Sequence, residues 1–340
     1  MLNVCVIGSG RAGRIHAKSY AGGVIGARLL AVCDPSDEAR AAAKADFGAE
    51  RSYADWRDVM DDSDIDAVVI VTPTGMHRDV AVAAAAAGKH VFCEKPMASS
   101  EAECDEIIAA CDAAGVKLQI GFMRRFEESA QHAKEAIEAG EIGDVVLVKS
   151  LTHGPSHPKE WMYDVRKSFG PIGEVSSHDF DLLRWFAGSE VESVYAIGGN
   201  FRSPEVAEQY PEWYDSFAMT LTFADGKLGM VEGAQYVQYG YDFRFEVLGT
   251  KGSILVGQQP RETYSIARAD GRIVRPMNNS WTYLFREAYI REAQAFVDAI
   301  VHDTPTRVTG HDGKMAVRLV NMGLESLLTH SVVHDERLGA

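Results

Sequence analysis

Six residues near the start of the chain limit its possible folds more than any other feature. Gly8-Ser9-Gly10-Arg11-Ala12-Gly13 directly follows an apolar run at residues 2–7 and opens a stretch of helical periodicity. In a strand–turn–helix unit the first glycine permits the tight turn and the second lets the main chain approach a pyrophosphate. The third lets helix and strand pack closely. The helix start then offers unpaired amides and a positive dipole end to phosphate. Gly8, Ser9, Gly10, Arg11, Ala12 and Gly13 are therefore read as cofactor-binding.

The rest of the first third supports that reading. Apolar runs at 28–33, 67–71, 90–93 and 117–120 alternate with alanine-rich amphipathic stretches at 38–46, 79–87 and 101–113. This alternation predicts an α/β Rossmann domain over residues 1–121, a doubly wound parallel sheet covered on both faces. Near residue 140 the pattern changes. Six β-rich stretches follow, at 145–152, 191–198, 216–223, 227–235, 243–248 and 253–256, with hairpin turn chemistry at Ala224-Asp225-Gly226 and at 249–252. One helix, 177–186, interrupts them. Two more, 283–301 and 312–328, follow and are candidates to pack back on the first domain. Residues 122–340 are thus expected to form an α+β domain with an open, mostly antiparallel sheet, for substrate binding and oligomerisation. Such a sheet leaves one face to cover, and a second subunit covering it predicts a homo-oligomer, a dimer or a homotetramer.

Composition excludes several classes of function. The net charge is −15, with −6 over residues 1–120 and −9 over the remainder. A surface of that sign repels nucleic-acid phosphates and anionic lipid, so neither nucleic acid nor membrane is expected as a partner. No apolar run approaches the roughly 18 residues of a spanning helix. The chain opens as a strand with no basic leader, and Cys5, Cys33, Cys93, Cys104 and Cys111 form no Cys-x-x-Cys pair. Free core thiols and a cytoplasmic location are expected. No His/Cys/Asp/Glu spacing suits zinc, so no metal is assigned. No Gly-x-Ser-x-Gly elbow points to a serine hydrolase.

Asp34 ends the second strand, 21 residues after Gly13. A carboxylate there accepts hydrogen bonds from the adenosine ribose and repels a 2′-phosphate. Pro35, Ser36, Asp37 and Glu38 follow, with no basic residue among them, which favours NAD over NADP. A helix N-cap is the alternative role for Asp34. Thr72, Pro73 and Thr74 follow another strand, where ligands of parallel sheets bind. His77 stands close by and suits a cofactor contact as well as a structural cap or a surface position. Glu94-Lys95-Pro96 follows the 90–93 strand. That puts Lys95 at the carboxyl edge of the sheet, where it can stabilise an alkoxide developing on a substrate hydroxyl, with Glu94 beside the cofactor and Pro96 fixing the backbone, in the cis or the trans form.

The stretch from Gly170 to Asp181 is the second point of interest. Ser176 or Ser177 would cap the helix that Leu182, Leu183, Trp185 and Phe186 make amphipathic. His178 then lies in the first turn, where the dipole favours the neutral imidazole that a general base needs. Glu174, four residues earlier, would share its face if the turn continues back, and could orient the ring. Oxidation of a secondary alcohol needs a proton acceptor and a hydride acceptor, and His178 and NAD would supply them.

These motifs resemble the Gfo/Idh/MocA oxidoreductases, the family of glucose–fructose oxidoreductase and inositol dehydrogenase. The resemblance rests on residues 6–16, on Glu94-Lys95-Pro96, on Gly121-Phe122-Met123-Arg124-Arg125-Phe126 and on residues 178–185, and it covers essentially the whole chain. It implies catalytic Lys95 and His178 and an NAD-dependent oxidation of an inositol or pyranose hydroxyl. It also implies a substrate pocket between the domains with Arg124 and Arg125 near it. Tyr163 is a candidate substrate contact, and Trp161, His153, His157 and Tyr236 are further ones, each equally suited to packing or to the surface. In the family's inositol dehydrogenases an aspartate lies four residues before the histidine. Here that residue is Glu174, whose extra methylene moves the carboxylate by about 1.5 Å. This departure bears on myo-inositol as substrate but not on the reaction type. Two alternatives stay open within the same family: a redox-neutral glycosidase or epimerase that recycles tightly held NAD, and a dinucleotide sensor without turnover.

Overall fold

The computed structural model describes residues 1–257 and 264–338. Residues 258–263 and 339–340, inside the range 122–340 read as the second domain, lie outside the described residues. The chain divides into two compact units, one of residues 1–126 and 287–317, the other of residues 127–286 and 318–340.

In the first unit the strands β1 (Leu2–Ile7), β2 (Ala27–Cys33), β3 (Arg51–Tyr53), β4 (Ala67–Ile70), β5 (His90–Glu94) and β6 (Leu118–Gly121) alternate with helices. These are α1 (Arg11–Tyr20), α2 (Asp37–Phe47), α3 (Trp56–Met60), α4 (His77–Ala86) and α5 (Glu101–Ala114). The sheet order is β3-β2-β1-β4-β5-β6, and every pairing is parallel. The order reverses at β1 and β4, the crevice where such sheets take ligands. Val4, Val6, Val32, Val69 and Phe92 are buried in one core with Phe296 and Val297 of the helix Arg286–Val301. The rings of Phe92 and Phe296 meet edge to face at 5.8 Å. Full burial of a side chain this size contributes about 1.5–3 kcal/mol. All five cysteines are free and buried.

The second unit begins with α6 (Glu128–Glu138) and β7 (Val145–Gly154). Three helical segments follow: α7 (Val165–Ser168), α8 (Gly170–Glu174) and α9 (Ser177–Ala187). Then come β8 (Val191–Gly199), β9 (Ser216–Phe223), β10 (Leu228–Gln235), β11 (Asp242–Gly249) and β12 (Ser253–Val256). Among the described residues the short strands β13 (Ile266–Ala267) and β14 (Ile273–Val274) pair only with each other, and β15 (Val333–His334) joins the edge of the large sheet. That sheet has the order β12-β11-β7-β10-β9-β8-β15. It is antiparallel except where β10 runs parallel to β7. Both expected hairpins form: Phe223 N–H donates to Lys227 and Gly249 N–H to Gly252. One face carries buried Val148, Val194, Phe217, Met219 and Val231. The other presents Tyr195, Ile197, Leu228, Met230 and Leu248 to solvent.

Among the described residues no helix is long and apolar enough to cross a membrane.

Candidate active site

The glycine turn has the shape its sequence implies. Gly8 has φ +102°, and a β-carbon there would come within 2.5 Å of the Val71 carbonyl oxygen. At Gly13 it would stand 1.8 Å from the Gly8 carbonyl oxygen, while at Gly10 it would meet nothing within 4 Å. Two glycines therefore close the turn against β4 and α1, and the third leaves an open cradle. Helix α1 starts at Gly10 with no side-chain cap and no acid in its first turn, so its amides and positive end remain available to phosphate. These features fit a dinucleotide.

Asp34 closes the same corner. Its Oδ2 accepts from Ser9 N–H at 2.7 Å and its Oδ1 from Ser36 N–H at 2.9 Å. Carboxylate oxygens carry two lone pairs each, so capacity remains for ribose hydroxyls. Asp34 is not the cap of α2: that residue is Ser36, whose Oγ accepts from Ala39 N–H. One partner of Asp34 has no signal in the residues that adjoin it in sequence. Arg40, one turn into α2, reaches back to donate to the Asp34 carbonyl and also pairs with Asp37.

His77 is buried rather than on the surface. Its Nε2 lies 2.8 Å from the carbonyl oxygen of Thr72, in the loop of Thr72, Pro73 and Thr74, and its Nδ1 lies 2.9 Å from that of Pro96. The ring thus braces the loop after β4 against the turn after β5. Burial lowers its proton affinity, and this outweighs the two carbonyls, which favour the cation.

Lys95 follows β5 directly and is half-buried. The Lys95–Pro96 peptide is cis. The Glu94 carboxylate is buried; Oε2 accepts the Lys95 N–H at 3.0 Å, and Oε1 stands 2.8 Å from His16 Nε2 on α1. Arg124 and Arg125 occupy a short 3-10 turn, Met123–Phe126, and are both buried. Arg125 pairs with Asp312 at 2.8 Å inside the first unit.

In the second unit His178 sits in the first turn of α9, 7% exposed. The expected serine cap takes a different form. Ser176 is the N-cap residue but has φ −105° and ψ 3°, and its side chain accepts no bond from the helix. Side-chain capping needs an extended N-cap backbone, and here the residue leaves a preceding helical turn. Its carbonyl instead accepts from Asp179 and Phe180 N–H. The turn carrying Glu174 does not run unbroken into α9: α8 ends at Glu174, and Val175-Ser176 form a turn. The face-sharing argument for Glu174 and His178 depended on that continuity. Asp179, next to His178, is fully buried and accepts from Ser150 Oγ at 2.5 Å and Thr152 Oγ1 at 3.0 Å, which ties α9 to β7.

Tyr163 is packed edge-on against Trp213 at 4.9 Å and lies beside Tyr210. Burial raises its hydroxyl's affinity for the proton. His153 bonds Glu232 and Tyr239, His157 meets the Tyr236 ring at 4.4 Å, and Trp161 is exposed. Phe169 and Tyr236 have φ +61°, a left-handed backbone that bulky residues rarely adopt and that gathers at functional sites. No residue preference in the sequence signals either. Among the described residues no group of three or more His, Cys, Asp or Glu side chains could hold a metal ion.

Known proteins agree with this architecture. The oxidoreductase family's NAD-binding Rossmann fold matches residues 2–122, and its C-terminal alpha/beta domain matches residues 134–334. An uncharacterized oxidoreductase of Bacillus subtilis is 35% identical over 98% of this chain and 97% of its own length. The myo-inositol 2-dehydrogenase of Thermotoga maritima is 33% identical over 96% of each chain. The crystal structure of scyllo-inositol dehydrogenase from Lactobacillus casei, with bound NAD(H) and scyllo-inositol, superposes with TM-score 0.90 at 29% identity over the full length of both. The chain belongs to the Gfo/Idh/MocA oxidoreductase family and carries its NAD-binding domain.

Proposed function

We propose that the protein oxidises one secondary hydroxyl of a cyclic polyol of the inositol class to the ketone, with NAD as oxidant. The observation that carries the reading is Lys95, set by β5 at the carboxyl edge of the parallel sheet, one strand beyond the crevice that the glycine turn lines. The inositol dehydrogenases among the relatives support the substrate class. Bound NAD supplies the hydride acceptor for the C–H hydrogen. Lys95 hydrogen-bonds the reacting oxygen and stabilises negative charge developing on it. His178 takes the hydroxyl proton, so each turnover yields ketone, reduced cofactor and one proton. Glu174, separated from His178 by the Val175-Ser176 turn, orients a neighbouring hydroxyl of the substrate. Arg124, Arg125 and Tyr163 shape the substrate's surroundings. Asp34 selects NAD by binding the ribose.

The reading extends to self-association. The outer face of the large sheet carries Tyr195, Ile197, Leu228, Met230 and Leu248. Most of the charges set among them are paired within the chain, Lys149 with Glu246 and Arg244 with Asp242, while exposed Glu232 bonds His153. On an acidic molecule this largely apolar face, with little unpaired charge, suits a second copy. Light scattering is expected to give a multiple of 37.1 kDa; a monomer at micromolar concentration overturns this part.

The deciding experiment offers purified protein NAD with myo-inositol, scyllo-inositol, other inositols and pyranoses, and follows nicotinamide reduction by absorbance. Reduction with an inositol is expected. No reduction with any of them, with NAD recovered from denatured protein, would point instead to a redox-neutral enzyme or a sensor.

A further inference from the structure

We infer that His16 is a positioning residue for Lys95, acting through the Glu94 carboxylate. The inference rests on the reading of Lys95 as the group that meets the reacting oxygen. His16 lies on α1, the helix whose start forms the dinucleotide cradle, and its ring is 1% exposed. Its Nε2 is 2.8 Å from Glu94 Oε1. Its Nδ1 is buried with no hydrogen-bond partner among the described residues. A neutral imidazole carries one N–H, and a buried N–H without an acceptor is costly. The proton therefore sits on Nε2 and is donated to the carboxylate. The other carboxylate oxygen accepts the Lys95 main-chain N–H.

Two further contacts leave this arrangement little freedom. The His16 ring is held edge-on by Phe92 at 5.0 Å and by Tyr289 at 5.3 Å. Gly121 on β6 forms the last wall: a β-carbon there would come within 3.0 Å of Glu94 Cδ and 3.1 Å of Oε2. The carboxylate thus has one seat, and that seat fixes the amide from which the lysine side chain springs. Packing alone does not call for a histidine here, because a leucine would fill an apolar slot between Phe92 and Tyr289. Burying an imidazole–carboxylate pair in such a slot costs desolvation that a leucine would not incur. The chain from α1 through His16 and Glu94 to Lys95 ties the cofactor helix to the reactive turn, across 78 residues of sequence between His16 and Glu94.

The test compares His16→Leu, which keeps the bulk and loses the donor, with His16→Gln, which keeps a donor. Three quantities are read: hydrogen exchange at the Lys95 amide by NMR, NAD affinity by calorimetry, and kcat and KM with the polyol. In His16→Leu the Lys95 amide is expected to exchange about tenfold faster and kcat to fall about tenfold, as for loss of a hydrogen bond to a charged group. NAD affinity and KM should stay within roughly twofold, and His16→Gln should return both altered quantities to within roughly threefold of wild type. If His16→Leu does not fold, Gly121→Ala crowds the same carboxylate from the opposite side and should give the same acceleration. Unchanged exchange in the leucine variant, a glutamine variant as impaired as the leucine one, or altered exchange with unaltered kcat each overturns the proposal. Wild-type protein that oxidises no polyol removes the reading of Lys95 on its own, while the exchange comparison still decides whether His16 governs the turn.

Discussion

The Tyr214 hydroxyl donates to the carbonyl oxygen of Phe169 at 2.8 Å and accepts the N–H of Ile172 at 3.3 Å. This one buried hydroxyl holds the left-handed Phe169 and the turn that leads through Glu174 to His178. Tyr214→Phe keeps the ring and removes both bonds, leaving a buried carbonyl and a buried amide without that partner. A loss of about 1–3 kcal/mol is expected, read from the urea midpoint, together with a fall in kcat if the segment sets His178. A variant unfolding at the wild-type midpoint would show that Phe169 needs no such pin.

Lys95→Ala removes the charge proposed to face the developing alkoxide. Turnover is expected to fall by about 100-fold or more, with NAD affinity by calorimetry close to wild type. Near-normal turnover would remove Lys95 from the reaction.

Asp34→Ala tests cofactor choice. The substitution deletes the proposed ribose acceptor and the bonds from Ser9 and Ser36, and it leaves Arg40 beside the emptied position. Titration calorimetry should show NAD weakened about tenfold more than NADP, the scale of a lost hydrogen bond to a charged group. An unchanged ratio would mean that Asp34 serves the turn alone.

His77 predicts a pH effect on stability. Burial holds its proton affinity in the folded chain below the ordinary value of 6.5. As pH falls below 6.5 the unfolded chain takes up a proton that the folded chain refuses, so stability is lost until the lowered folded value is passed. His77→Gln should flatten this dependence in urea titrations run across the acid range. His90, lowered chiefly by burial, acts in the same direction, so the difference between variant and wild type is the quantity to compare. Identical slopes would place the titration elsewhere.

The parts of the fold with local signatures could be read from the sequence. Strands β1, β2, β4, β5 and β6 declare themselves by apolar runs and the glycine turn by its spacing. The β9–β10 hairpin declares itself by Asp225-Gly226. The short β3, Arg51–Tyr53, has three residues, two of them polar, and lies at a sheet edge where no apolar run is required. The parallel pairing of β7 with β10 joins segments some eighty residues apart, and no turn motif records it. The candidate site divides in the same way. Asp34, Lys95 and His178 stand at strand or helix ends that sequence can locate. His16 lay inside a recognised motif, yet its partner Glu94 becomes visible only once α1 packs beside β5. Arg40 lies beyond the residues that directly follow Asp34 in sequence, and only the first turn of α2 brings it back to Asp34.

Residues 287–317 complete the core of the first unit, and this has a consequence during synthesis. Phe296 packs on Phe92, Gln119 donates to the Glu292 carbonyl, and the Ile120 amide donates to Val308. A ribosome that has finished residue 126 must add the whole intervening stretch before these partners emerge, an interval on the order of ten to forty seconds at elongation rates of about 5–20 residues per second. Until then the nascent cofactor domain shows an open apolar flank, a target for chaperones and proteases. Expression of residues 1–126 alone would make that flank permanent, so a soluble excised cofactor domain requires the 287–317 segment to be grafted back.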